Sequence, residues 1–134
     1  MEIRMMEGSA SLLQARLRVI SAALEETGIA IKALEGTRNC QKGTEALAPV
    51  GAGSFIRVEL ADVQRVITGV GAGVCIEKNI ESSIQDHKER QAELEKLSSS
   101  LQQQLSQLLT SIEGSKDSLA RLIEQQERER SRPS

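Results

Sequence analysis

Met6, Ala10, Leu13, Leu17, Ile20, Leu24, Thr27, Ile31 and Leu34 follow one another at alternating intervals of four and three residues. That spacing is the a/d stripe of a heptad repeat. It predicts a helix over residues 5–36 that meets another helix along one seam. Gly28 lies inside the run and costs about 1 kcal/mol relative to alanine. Gly36 is the expected C-cap. A second stripe runs through Ile80, Ile84, His87, Gln91, Leu94, Ser98, Leu101, Leu105, Leu108, Ile112, Ser115, Leu119, Leu122 and Gln126. It predicts a helix over 79–130, with Asn79 as N-cap and residues 131–134 as a tail. An unbroken helix of about 50 residues fits a coiled coil better than a globular packing helix. Three pairs, Asp86–Arg90, Asp117–Arg121 and Glu124–Arg128, have the favourable i,i+4 order.

The second seam is imperfect. His87, Gln91, Ser98 and Ser115 interrupt it, while Leu97, Leu109 and Ile123 lie beside it. Its later half therefore holds more apolar side chains than a two-stranded seam needs.

Between the stripes the period changes from helical to alternating. Residues 37–45 read as a loop. Ala46–Val50, Ser54–Leu60, Arg65–Val70 and Val74–Glu77 read as short strands, rich in β-branched residues. Ile56, Val58 and Leu60 point one way, Phe55, Arg57 and Glu59 the other. Ala61–Gln64 turns the chain. The phrase Val-Gly-Ala-Gly occurs at 50–53 and again at 70–73, an offset of 20 residues. Gly51 and Gly53 mark one hairpin turn, Gly71 and Gly73 another. Residues 46–78 are thus two β-hairpins set between helices that must run antiparallel, which makes the fold class α+β. Short hairpins bury little and leave open edges, so this segment is expected to complete its core in an assembly.

Those glycines do not form a phosphate loop. No Lys-Ser or Lys-Thr follows them, no third glycine completes a dinucleotide fingerprint, and a strand rather than a helix comes next. The chain has one Phe, no Tyr and no Trp, and a net charge of -2. That composition opposes nucleic-acid binding, which wants a basic face or stacking rings. Cys40 and Cys75 have no zinc spacing; they read as reduced thiols of a cytoplasmic protein, Cys75 packing from its strand. His87 is the only histidine and sits on the seam. Glu89, Glu93 and Glu95 read as a solvated face. No nucleophile, base and orienting group come together. No run of apolar residues is long enough to span a bilayer, and the N-terminus lacks the apolar core of a signal peptide. Hence no catalytic, metal or cofactor site is expected, no membrane, and no enzyme.

Two stretches carry a family resemblance: Pro49-Val50-Gly51-Ala52-Gly53-Ser54-Phe55-Ile56-Arg57-Val58-Glu59-Leu60, and the run from Val70 through Cys75 to Ile84. Helix, two hairpins and helix with these phrases resemble the alpha-type subunits of the archaeal prefoldin family. The specific match spans about residues 46–84; the helices match in pattern. The resemblance implies an ATP-independent chaperone subunit in a hexamer of two alpha and four beta subunits. It implies that the hairpins build a β-barrel platform. Val50, Phe55, Ile56, Val58, Leu60, Val66, Val70, Val74 and Ile76 would be its assembly residues. It further implies that coiled-coil tips hold non-native polypeptides and pass them to the group II chaperonin. The tip residues would be Met5, Met6 and Leu13 from the first helix, and Ile112, Leu119, Leu122 and Ile123 from the second.

The first helix looks short for this family pattern. Pairing outward from the hairpins sets Leu34 near Ile80 and Met6 near Leu108, and leaves residues 112–126 without a full partner. An overhanging end, a frayed end or a start further upstream would each expose apolar side chains. The competing reading is a structural coiled-coil adaptor or spacer that assembles through the same hairpins. A nucleotide-binding module is disfavoured by the residues after the glycines.

Overall fold

The heptad stripes become two helices, and the alternating segment becomes four strands. A computed structural model describes residues 2–132. The element order is α1 (Glu2–Arg38), β1 (Glu45–Gly51), β2 (Ser54–Glu59), β3 (Arg65–Gly71), β4 (Val74–Asn79) and α2 (Ile80–Ser131). Pro133 and Ser134 of the expected tail lie outside the described residues, and Ser131 still belongs to α2. The described part divides into two compact units. One joins α1 up to Ala23 with α2 from Leu94 onward; the other is Leu24–Glu93.

In the second unit the two hairpins are separate two-stranded antiparallel sheets. Their registers are copies at the 20-residue offset. Ala46 faces Val58, Ala48 faces Ile56 and Pro49 faces Phe55. Likewise Val66 faces Lys78, Thr68 faces Ile76 and Gly69 faces Cys75. The repeat reaches past the strands. Leu60 N–H donates to the Thr44 carbonyl at 3.0 Å, and Ile80 N–H donates to the Gln64 carbonyl at 2.7 Å. In the first copy the chain then turns into β3; in the second it becomes α2. Asn79 decides that difference: its side-chain oxygen accepts the Glu81 N–H at 2.8 Å, satisfying a first-turn donor as an N-cap does. Asp62 organises the link between the hairpins by accepting the N–H groups of Gln64 at 2.8 Å and Arg65 at 3.3 Å.

Gly36 does not end the first helix. α1 runs on to Arg38 and finishes in a turn where Cys40 N–H donates to the Thr37 carbonyl at 3.0 Å. A glycine inside a helix is a modest penalty rather than a stop. Those extra residues shift the pairing of the helices. Arg38 reaches Glu81 at 3.1 Å, and Glu35 receives Lys88 at 3.2 Å. Leu34 therefore lies beside Ser83 and His87, with which it lines one cavity, rather than beside Ile80. Ile31, Ile80 and Ile84 are buried here, and Ser83 is the most enclosed side chain.

The first unit is a helix pair with no strand in it. Ala10 and Ile20 of α1 and Leu94, Leu101 and Ile112 of α2 are its buried apolar residues. Glu7 receives Lys116 at 3.0 Å. Met6 is thus carried well past Leu108, correcting the pairing expected from the sequence. Of the expected i,i+4 pairs, Glu124–Arg128 forms at 2.9 Å. Asp86 instead binds Lys78, and Arg90 binds Glu93.

Candidate functional site

The stripe on α2 continues in sequence past Lys116, which pairs with Glu7 of α1. Leu94, Ser98, Leu101, Leu105, Leu108, Ile112 and Ser115 are all buried or half-buried. From Lys116 on, every described residue is exposed. Only Glu2–Met6 of the described α1 remains past the Glu7–Lys116 ion pair. Leu119 is 49% exposed, Leu122 60% and Ile123 48%. Leu119 and Leu122 at seam spacing, with Ile123 beside them, form an exposed apolar strip. Met5 is also exposed, whereas Met6 and Leu13 are half-buried in the pair.

Ile112 does not belong with that strip. It is 7% exposed, because the pairing reaches three residues beyond it. The sequence expectation that residues from 112 onward lack a full partner is corrected: Ile112 is buried, Ser115 half-buried and Lys116 paired with Glu7.

The hairpins form the second surface. Val50, Phe55, Ile56, Val70, Val74 and Ile76 are exposed; Val58, Leu60 and Val66 are half-buried. Phe55, the sole aromatic side chain, is 59% exposed. Cys75, expected to pack, is also exposed: its partner on the neighbouring strand is Gly69, which offers no side chain to cover it. No closed barrel forms within one chain, since each sheet has two strands. Four edges and much apolar surface are therefore left without intramolecular partners.

The glycine repeats answer a conformational demand. Ala52 and Gly53 have φ of 50° and 75°, and Ala72 and Gly73 have 52° and 75°. Two consecutive positive φ values are what a two-residue hairpin turn requires to match strand twist. Gly51 and Gly71, at 105° and 106°, absorb the register shift of a bulge beside each turn. A Cβ at any of these glycines would meet open space, so backbone angle rather than crowding selects them.

Several exposed apolar residues escaped the sequence reading: Leu12, Val19, Ile29, Leu47 and Ile67. A signal was present for the first two. Met5, Leu12 and Val19 are seven residues apart, a second stripe running beside the seam. His87 is half-buried, in a cavity with Ala30, Ala33, Leu34, Val66, Thr68 and Ser83. Among the described residues no group of His, Cys, Asp or Glu is arranged to hold a metal ion. No described helix is long and apolar enough to cross a membrane.

The family model described as prefoldin subunit matches residues 6–126, which takes in both hairpins and most of each helix. The chain belongs to the prefoldin family. A prefoldin subunit alpha from Methanopyrus kandleri is 36% identical over 87 residues, 65% of this chain and 55% of that protein. The match thus spans little more than half of that relative. A prefoldin subunit alpha from Methanococcoides burtonii is 30% identical over 113 residues, 82% of each chain. The cryo-electron microscopy structure of a filamentous PFD from Methanocaldococcus jannaschii superposes with a TM-score of 0.70 at 19% identity. It covers 89% of this chain and 96% of that one. At that identity the likeness speaks for the fold, which is two long helices with two hairpins between them.

Proposed function

We propose that this prefoldin-family chain is an alpha-type subunit of an ATP-independent holdase. Its hairpins would assemble with beta-type subunits into an alpha2-beta4 hexamer in the cytoplasm. Its helix ends would hold non-native polypeptides for transfer to a group II chaperonin. The observation that carries the holding role is the open strip Leu119, Leu122 and Ile123, continued from a buried seam. Full burial of one such side chain against a client contributes at most roughly 1.5–3 kcal/mol. One helix end therefore binds weakly, and several ends around one client bind well through effective concentration. Weak single contacts also let a client leave. Met5 belongs to the same surface by exposure; Met6 and Leu13 contribute only where the helix pair opens. Holding needs no bond making, in keeping with a chain in which no catalytic group was found by sequence.

The rival reading is a structural adaptor that assembles through the hairpins and holds nothing. The exposed strip disfavours it, because a purely structural coiled coil has no use for leucines at uncovered seam positions. The combined substitution Leu119→Ser, Leu122→Ser and Ile123→Ser tests the choice. Light scattering of an aggregating client is expected to rise toward the level without chaperone, with assembly mass unchanged. Undiminished suppression of aggregation would sink the assignment.

A further inference from the structure

In the first unit an apolar groove of about 440 Å³ runs along the helix pair, lined by Ala15, Arg16, Val19 and Ile20 of α1 and by Leu97 and Leu101 of α2. Val19 at its wall is 71% exposed, and Leu97 is exposed too. Arg16 is its single charged lining residue. Its charge pattern is unusual for a coiled-coil flank, where both signs normally alternate. Between Glu7 and Glu25 the only charged residues of α1 are Arg16 and Arg18. Across from them, Leu97–Ile112 of α2 contains Ser, Gln and Thr but no charged residue at all. This holds in a chain whose net charge is -2 and whose charged fraction is 27%. The groove is therefore apolar in its floor, cationic at Arg16, and flanked by carboxylate-free stretches over residues 8–24 of α1 and 97–112 of α2.

We propose that this groove receives an acidic amphipathic helical segment of another polypeptide. The segment's apolar face fills the groove between Val19 and Leu97, and its Asp or Glu side chains pair with Arg16. Helix-in-groove docking is a recurrent use of such a surface, and charge at the rim selects the partner more than it adds affinity. A second copy of this chain fits the groove less well, since a two-fold contact through this face brings like arginines together. The site is separate from the Leu119–Leu122 strip and does not depend on the holding role assigned there.

Fluorescence anisotropy with two labelled peptides tests it on the full chain in the assembly it forms. Both peptides are helical with leucines at i, i+4, i+7 and i+11; one carries Glu at the flanks, the other Lys. The Glu peptide is expected to bind about fivefold tighter or more, with an advantage that shrinks as salt is raised. Arg16→Glu is expected to reverse the preference. Arg16→Gln, which keeps a polar side chain without the charge, is expected to abolish it, with helicity checked by circular dichroism. Leu97→Ser is expected to weaken both peptides. The triple serine variant at 119, 122 and 123 is expected to leave the preference intact, so failure of the strip and failure of the groove are told apart. Equal affinity for the two peptides overturns the proposal. So does loss of all binding in the triple serine variant, and so does a change of assembly mass, rather than of peptide affinity, in the arginine variants.

Discussion

Ile112 and Leu119 stand one heptad apart on the same stripe of α2, yet Ile112 is 7% exposed and Leu119 49%. Equivalent sequence positions thus differ in burial, and the division falls beside the Glu7–Lys116 ion pair. Ile112→Ala removes buried methyl groups from a closed seam and is expected to destabilise by about 2–5 kcal/mol, toward the lower end because a helix pair collapses readily. Leu119→Ala is expected to stay within about 0.5 kcal/mol. Urea unfolding followed by circular dichroism compares the two. Similar losses would mean that Leu119 is packed in the assembled protein.

Much of this architecture was legible in the sequence. Seam residues such as Leu101 sit at strict four-three spacing, and a helix buries whatever lies on its apolar stripe. Gly53 and Gly73 were readable because few residues tolerate the backbone angles of a tight hairpin. What the sequence hid was relative placement. Gly36 looked like a terminus, but helix ends depend on a balance of about 1 kcal/mol, so α1 carried on to Arg38. That continuation moved Leu34 from Ile80 to Ser83 and His87, and took Ile112 out of the open strip. The groove beside Arg16 was hidden for another reason. It joins residues of two helices far apart in sequence, and only a fixed pairing sets Val19 beside Leu97.

The turns give a prediction with opposite signs at adjacent residues. Ala52 holds φ of 50°, a left-handed conformation that costs a non-glycine residue roughly 1–2 kcal/mol. Ala52→Gly relieves that strain but frees the unfolded chain, so the expected net gain is at most about 1 kcal/mol. Gly51 holds 105°, a value that L side chains adopt poorly, and Gly51→Ala is expected to destabilise by more than about 1 kcal/mol. The same contrast is expected at Ala72 and Gly71. Urea midpoints for the four variants would show it; a neutral Gly51→Ala would mean the turn rearranges.

Asp62 gives a pH dependence with a definite sign. The Gln64 N–H donates to its carboxylate, and together with the Arg65 N–H and the charges of Arg65 and Lys42 this outweighs an opposing desolvation and holds its pKa below the ordinary value. Since the folded-state pKa is the lower one, the stabilisation is present above the ordinary carboxylate value. It is lost as pH falls through the lowered folded value. Asp62→Asn keeps an oxygen for the two N–H groups but has no proton to take up. Thermal unfolding of the wild type is expected to lose more stability than Asp62→Asn across that acidic window. Parallel profiles would show that the link between the hairpins does not rely on the charge.

Phe55 and Pro49 face each other on the first hairpin, as Cys75 and Gly69 do at the matching place on the second. The first pair presents an exposed ring, the second an exposed thiol beside a bare backbone. The two hairpins are therefore alike in backbone and unlike in what they offer a neighbour. A ring of this kind contributes up to roughly 3 kcal/mol when a partner covers it, far more than a thiol. Phe55→Glu is expected to leave the helix content of the chain unchanged, because the side chain is solvated in the single chain. In the proposed assembly it would set an unpaired carboxylate into a buried contact, which is strongly unfavourable. Cys75→Glu is expected to weaken assembly less. Native mass spectrometry of the chain mixed with a beta-type prefoldin subunit, across a concentration series, ranks the two. Equal effects would mean that both hairpins are buried alike, and an inert Phe55→Glu would mean that this face of the first hairpin stays in solvent.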